Sequence, residues 1–145
     1  MKYAVPVRSG ASDLDRKFAK LAAGIPESRL MEILHEGGEI IAEEQRRIVR
    51  VRTGRLQRSI KVTDARDARI YGTLGRRMFD DAKLVYIGPV GSDEHGDVFY
   101  ARFLEFGTYK SDPYPFVRPA LRTKRYRAQK LIGTLVTAEL AKLAR

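Results

Sequence analysis

The 145-residue chain contains no cysteine. Disulfides and thiolate metal sites are therefore excluded. No apolar run approaches the ~18 residues that a membrane-spanning helix needs. The first ten residues, MKYAVPVRSG, hold an apolar patch too short for the core of a signal peptide. The expected address is thus the cytoplasm, or an assembly built there. Neither the P-loop nor the dinucleotide-binding glycine pattern occurs, so those phosphate cradles have no support. GTLG at 72–75, followed by Arg76-Arg77, has the letters of the GxxG loop of a KH module. It lacks the flanking helices such a loop needs, with polar sequence before it and Asp80-Asp81 after it.

Catalytic groupings are scarce as well. There are two histidines, His35 and His95. His35 has Glu39 four residues on, which reads as a solvated helix face rather than a metal pair. His95, within SDEHGD, reads as a polar turn. The carboxylate pairs Asp80-Asp81 and Asp93-Glu94 are adjacent in sequence, and adjacent side chains on a strand point apart. No serine, histidine and acid stand in an order that suggests a nucleophile relay. The expectation is a protein that is not an enzyme and that uses no cofactor and no metal.

What is abundant is positive charge, and it is unevenly placed. The net charge is +10. Residues 27–44 hold six glutamates and one arginine, a balance of −5. Residues 46–77 hold eleven Lys/Arg and two Asp, a balance of +9, and residues 118–130 hold six Lys/Arg and no acid, a balance of +6. Such blocks suit contact with a polyanion or charge-complementary contact between subunits.

The periodicities give an order of elements. Residues 2–7 suit a short edge strand, with Pro6 at the edge, and 12–26 a short helix stopped by Gly24 and Pro26. Residues 27–51 carry the clearest signal. Leu30, Ile33, Leu34, Gly37, Ile40, Ile41 and Ile48 recur at three-and-four spacing, predicting a helix roughly 35 Å long. Gly37-Gly38 in its middle costs about 1–2 kcal/mol in helix propensity, which implies close approach of another element. Arg52-Thr53-Gly54 reads as the helix exit, with Gly54 at a positive φ. Residues 58–63 alternate as a strand does. The 64–82 segment reads as a long loop or protruding hairpin, 83–90 as a strand ended by Gly88-Pro89, and 91–97 as a turn. Residues 98–108 are apolar on both faces, predicting a central strand or one buried against a neighbouring subunit. Residues 109–119 read as extended, with Arg118 held so by Pro119, and Pro119 suits the first turn of a helix over 120–144. That helix carries a wide apolar face, one stripe along Ala128, Leu131, Leu135 and Ala138 and an adjacent one along Ile132, Val136, Leu140 and Leu143. The expected fold is one α+β domain over 1–145, a small antiparallel sheet of three or four strands packed against the long helix and the C-terminal helix.

Glu105 stands out, because a carboxylate inside an apolar segment must be paired or exposed. The expected partner is an arginine of the 52–58 cluster, and Arg102 poses the same question.

Four stretches, VRTGRLQRSI, VYIGP, YARFLEFGT and PYPFVRPAL, occur in that order over residues 51–121. Together they resemble the tail-completion, or neck, family of long-tailed phages, also known as the gene-product-ten family of tail components. The motif positions are Thr53, Gly54, Leu56, Glu105, Gly107, Thr108, Pro115, Phe116 and Pro119. The 64–82 segment is longer and more polar than the family pattern. The resemblance implies a structural virion protein of the head–tail joint, completing the tail and connecting it to the head. It implies a ring of identical copies, six by expectation, around the DNA channel, in contact with other neck, connector and tail-tube proteins and without a membrane. The acidic and basic blocks would suit head-to-tail contact, which closes rings. Arg52, Arg55, Arg58, Arg76 and Arg77 are the candidates for subunit contacts or for non-specific contact with DNA. The alternative is a sequence-nonspecific nucleic-acid-binding protein of a phage or mobile element.

Overall fold

The structure, a computed structural model, describes residues 24–64, 85–90, 92–93, 96–97 and 100–143. The strand expected at 2–7, most of the 12–26 helix, the 64–82 segment past Asp64, GTLG, Arg76, Arg77 and His95 lie outside the described residues. The fold is α+β. A long helix, α1 (Glu27–Ile48), is followed by a short helix, α2 (Arg55–Ser59), and a strand, β1 (Ile60–Asp64). Then come β2 (Val85–Pro89), two two-residue strands, β3 (Ser92–Asp93) and β4 (Gly96–Asp97), a short helix α3 (Ala101–Phe106), and α4 (Val117–Leu143).

Helix α1 is the central element. It packs against α4 on one side and against the β1–β2 pair on the other, and Gly37-Gly38 is where both come closest. A Cβ on Gly37 would collide with the side chain of Ile132 on α4. A Cβ on Gly38 would sit 3.0 Å from Val62 of β1 and 3.3 Å from Ile87 of β2. Two adjacent glycines face two neighbours because successive helical residues point ~100° apart. The close approach expected from the sequence is therefore present twice.

Helices α1 and α4 run antiparallel, and three contacts fix their register. Arg29 Nε donates to Glu139 Oε1 at 3.0 Å, Gly37 faces Ile132, and Lys124 lies 3.8 Å from the buried Glu44. Position numbers fall on α4 as they rise on α1. Beneath them the core gathers Ala42, Val49, Leu56, Ile60 and Phe116, with Ile41, Ala120 and Ala128 alongside.

Strand β1 pairs antiparallel with β2, with Ile60 opposite Pro89 and Asp64 opposite Val85. Arg46 of α1 donates twice to the Ile60 carbonyl, at 3.1 and 2.9 Å, and so ties the start of β1 to the helix. The other two strands form a separate minimal ladder inside the expected turn. Among the described residues the main sheet thus has two strands rather than three or four.

Four expectations need correction. Helix α1 stops at Ile48, three residues early, because Val49 turns extended and buries its side chain in the core. Gly54 does take a positive φ of 74°, but as the N-cap of α2, so the TGRL stretch starts a helix instead of ending one. Residues 101–106 are helical. Ala101, Leu104 and Glu105 turn inward at i, i+3 and i+4 while Arg102, Phe103 and Phe106 face outward, a helical period that six residues are too short to reveal in sequence. Finally, Arg118 is inside α4 and helical, since Pro119 two positions past the helix start sits where no intrahelical N–H bond is required.

Candidate functional site

The start of α4 poses a local problem. The first N–H groups of a helix have no partner within it, and here no short polar side chain precedes Val117. Glu105, on α3, supplies the acceptor. Its Oε2 takes the backbone N–H of Phe116 at 2.8 Å and of Val117 at 3.0 Å, and its Oε1 takes that of Arg118 at 3.1 Å. Pro119 has no N–H to satisfy, and Ala120 N donates to Phe116 O at 3.3 Å. Every donor of the first turn is thereby accounted for. Arg118 closes the arrangement, its Nε reaching Glu105 Oε1 at 3.0 Å and its other guanidinium nitrogen reaching Glu105 O at 3.0 Å.

Glu105 is only 5% exposed. Burial pushes its carboxyl pKa up, but the three amides and the guanidinium outweigh it and hold the group below the ordinary carboxylate value. The residue stays charged and faces the positive end of the α4 dipole. Its partner is therefore Arg118 and not the 52–58 cluster expected from sequence. The other cation in question, Arg102, is exposed.

Between α3 and α4 the chain folds into a tight turn. Gly107 has φ 73°, and a Cβ there would meet Ser111 O at 2.9 Å and Pro113 at 3.0 Å, so glycine is required. Thr108 and Ser111 exchange backbone hydrogen bonds, Thr108 Oγ1 accepts from Lys110 N at 3.3 Å, and Tyr114 N donates to Leu104 O at 2.7 Å. Pro115 is half-buried and leads into Phe116, 1% exposed at the centre of the core. The turn is pinned at both ends.

This rigid junction displays large apolar groups to solvent. Phe103 is 48% exposed, Phe106 65%, Tyr114 50%, and Tyr109, at the tip of the turn, 92%. Arginines lie over two of the rings. The Arg118 guanidinium is 5.0 Å from the Phe106 ring centre and Arg50 is 4.4 Å from that of Tyr114. At exposed sites such pairs contribute about 0.5–1 kcal/mol each and leave the opposite ring face open. Aromatic residues with arginine are the composition of binding surfaces.

The remaining motif residues are structural. Gly54 sets the α2 turn, Thr53 Oγ1 accepts weakly from Arg55 N at 3.4 Å, and Leu56 is buried in the core. Arg52 and Arg58 are exposed, and Arg58 folds back over Gly54. Arg55 is half-buried. His35 pairs across to Asp64 Oδ1 at 2.8 Å and not with Glu39, which Arg46 engages instead. Among the described residues no group of three His, Asp or Glu is placed to hold a metal ion, and no helix is long and apolar enough to cross a membrane.

Arg118 and the outward ring set were missed by the sequence reading. The available signal was the helical spacing of Phe103 and Phe106 and the uncapped start of PFVRP.

The family model described as "Bacteriophage HK97-gp10, putative tail-component" matches residues 12–107. The match takes in α1, the TGRL turn, both strands of the main sheet and α3 with Glu105, and it ends at Gly107. No curated protein and no solved structure gives a significant match.

Proposed function

The chain belongs to the HK97-gp10-like family of bacteriophage tail components, and from that premise we propose that it is a structural protein of the head–tail joint. In this reading it completes the tail and connects it to the head, as a ring of identical copies around the DNA channel, and it catalyses nothing. A tail component resides in the virion, and its partners are other virion proteins.

The observation that carries the reading is the surface built on the Glu105 junction. Phe103, Phe106, Tyr109 and Tyr114 stand on elements tied together by the Glu105 hydrogen bonds and the backbone bonds of the turn, so they are presented without a large ordering cost on binding. Exposed aromatic groups on a rigid frame favour a protein partner over solvent. The sequence allowed 98–108 to be a strand with one face covered by a neighbouring subunit; as the helix α3 the segment still offers a neighbour an apolar face, through Phe103 and Phe106.

The test is genetic and visual. In a phage that encodes this chain, a nonsense lesion in its gene should yield DNA-filled heads and separate tails by electron microscopy of the lysate. Adding the purified chain should restore joined particles. A lysate of intact, infectious phage from the nonsense mutant would refute the role.

A further inference from the structure

The basic blocks seen in the sequence are not equivalent in the structure. We infer that the outward face of the first half of α4, carrying Arg122, Arg125 and Lys130 with Tyr126, is a binding surface for the phosphate backbone of duplex DNA. The inference rests on the reading above only for the presence of DNA beside the protein, since binding itself is measured on the chain alone.

Arg122, Arg125, Tyr126 and Lys130 lie along one exposed side of α4, with Arg122, Tyr126 and Lys130 as an i, i+4, i+8 row turned away from Lys124 and Ala128, which face α1, and Arg125 at its edge. The first four are all exposed, Tyr126 at 69%. Arg127, seven residues on from buried Ala120, lies on the flank. Among the described residues none of the three cations contacts a carboxylate: Arg125 meets the Tyr126 hydroxyl at 3.1 Å and lies over its ring, and Arg122 and Lys130 form no ion pair. They span nine residues, ~12 Å of helix from first to last. Duplex DNA carries one charge per ~1.7 Å of its axis, so a row of this length meets phosphates in any register.

A second copy of the chain is a poor occupant for this face. The acidic block of α1 is largely satisfied internally: Arg29 takes Glu32 and Glu139, Arg46 takes Glu39, and Arg47 and Lys124 take Glu44. The chain also carries +10, and every added copy adds the same again. An excess that cannot cancel among copies calls for a polyanion. An acidic protein would be expected to seat on apolar anchors, and those stand mainly on the α3 junction. A polar, exposed cation row suits wet contact with phosphates, which positions a protein without reading sequence.

Two arginines of the VRTGRLQRSI stretch fit this less well. Arg58 is folded over Gly54 and Arg55 is half-buried.

The experiment is binding of a 30-base-pair duplex of arbitrary sequence to the full chain across a salt series. Three phosphate contacts predict a slope of about −2.7 in log affinity against log salt for each engaged protomer, roughly a 40-fold loss between 50 and 200 mM. The triple variant R122A/R125A/K130A should lose most of that slope and keep its circular dichroism, while R52A/R58A should keep the wild-type slope. The lysine variant R122K/R125K should also keep it, since charge and not fork geometry is used. Loss of slope in R52A/R58A with retention in the α4 triple variant would overturn the assignment. So would a wild type that does not bind duplex at 50 mM salt, or one that binds polyglutamate in its place through the same three residues. A chain that binds DNA as a monomer would sink the ring while leaving this surface intact, and a ring indifferent to DNA would do the reverse.

Discussion

The carboxylate of Glu105 lies 2.8 Å from the backbone nitrogen of Phe116, and through that contact a six-residue helix fixes the start of a 27-residue one. Removing the carboxylate leaves three N–H groups without an acceptor, at least one of them buried. Glu105→Ala is expected to cost about 3 kcal/mol and to lower the melting temperature by roughly 10 °C. Glu105→Gln keeps one acceptor oxygen and should recover part of the loss. Thermal unfolding followed by circular dichroism checks this, and an alanine variant melting with the wild type would deny the cap any weight.

The same group gives stability a sign with pH. A carboxyl whose pKa is lowered on folding contributes stability that is complete above its unfolded value and is lost as pH falls through the folded one. Glu105 is lowered from 4.5, as are Glu44, mainly by its hydrogen bond from Arg47, and Glu139, by those from Lys142 and Arg29. Urea midpoints should therefore be flat in these groups near neutrality and drop below about pH 4.5. Glu105→Gln should shallow that drop without abolishing it, because Glu44 and Glu139 remain. An unchanged acid limb in the variant would show that Glu105 is not linked to folding.

Gly37 and Gly38 should respond differently to alanine. At Gly37 the new methyl must displace Ile132, a cost of about 1–3 kcal/mol that outweighs the ~1 kcal/mol gained in helix propensity. At Gly38 the nearest atoms, at 3.0–3.3 Å, are side-chain carbons that need to yield only slightly, so the two effects should nearly cancel. Chemical denaturation should rank Gly37→Ala below wild type and Gly38→Ala close to it. Equal losses would contradict the geometry.

What the sequence made legible is instructive where it succeeds and where it fails. The long helix and the glycine pair were readable because both reflect local rules, apolar period and backbone cost. The β1–β2 strands were readable from alternation and the Gly88-Pro89 stop, although Arg58 and Ser59 of the expected 58–63 strand close the helix α2 and β1 begins at Ile60. The turn residue Gly54 was identified with its positive φ but placed at the wrong end of a helix, since a left-handed glycine more often follows a helix than precedes one. The 101–106 segment was misassigned because six residues are too few to separate the two periods: its apolar residues occupy both faces of a strand, while the helix turns Ala101 and Leu104 inward and Phe103 and Phe106 outward. Only packing decides, through Leu104 and the burial of Glu105. The partner of Glu105 could not be read at all. It depends on α3 and α4 meeting across a turn, and long-range pairing leaves no local trace. The α+β class and the family resemblance survived these errors, since both rest on the order of blocks.

The central claim is that the surface standing on the Glu105 junction is completed by identical copies. Its most direct test is light scattering behind size exclusion, comparing the wild type with Phe103→Glu/Phe106→Glu. The wild type is expected at a discrete multiple of its 16.5 kDa monomer mass, and the variant at the monomer mass with unchanged circular dichroism. A wild-type chain that stays at 16.5 kDa at every concentration, or a variant that assembles as the wild type does, would contradict it.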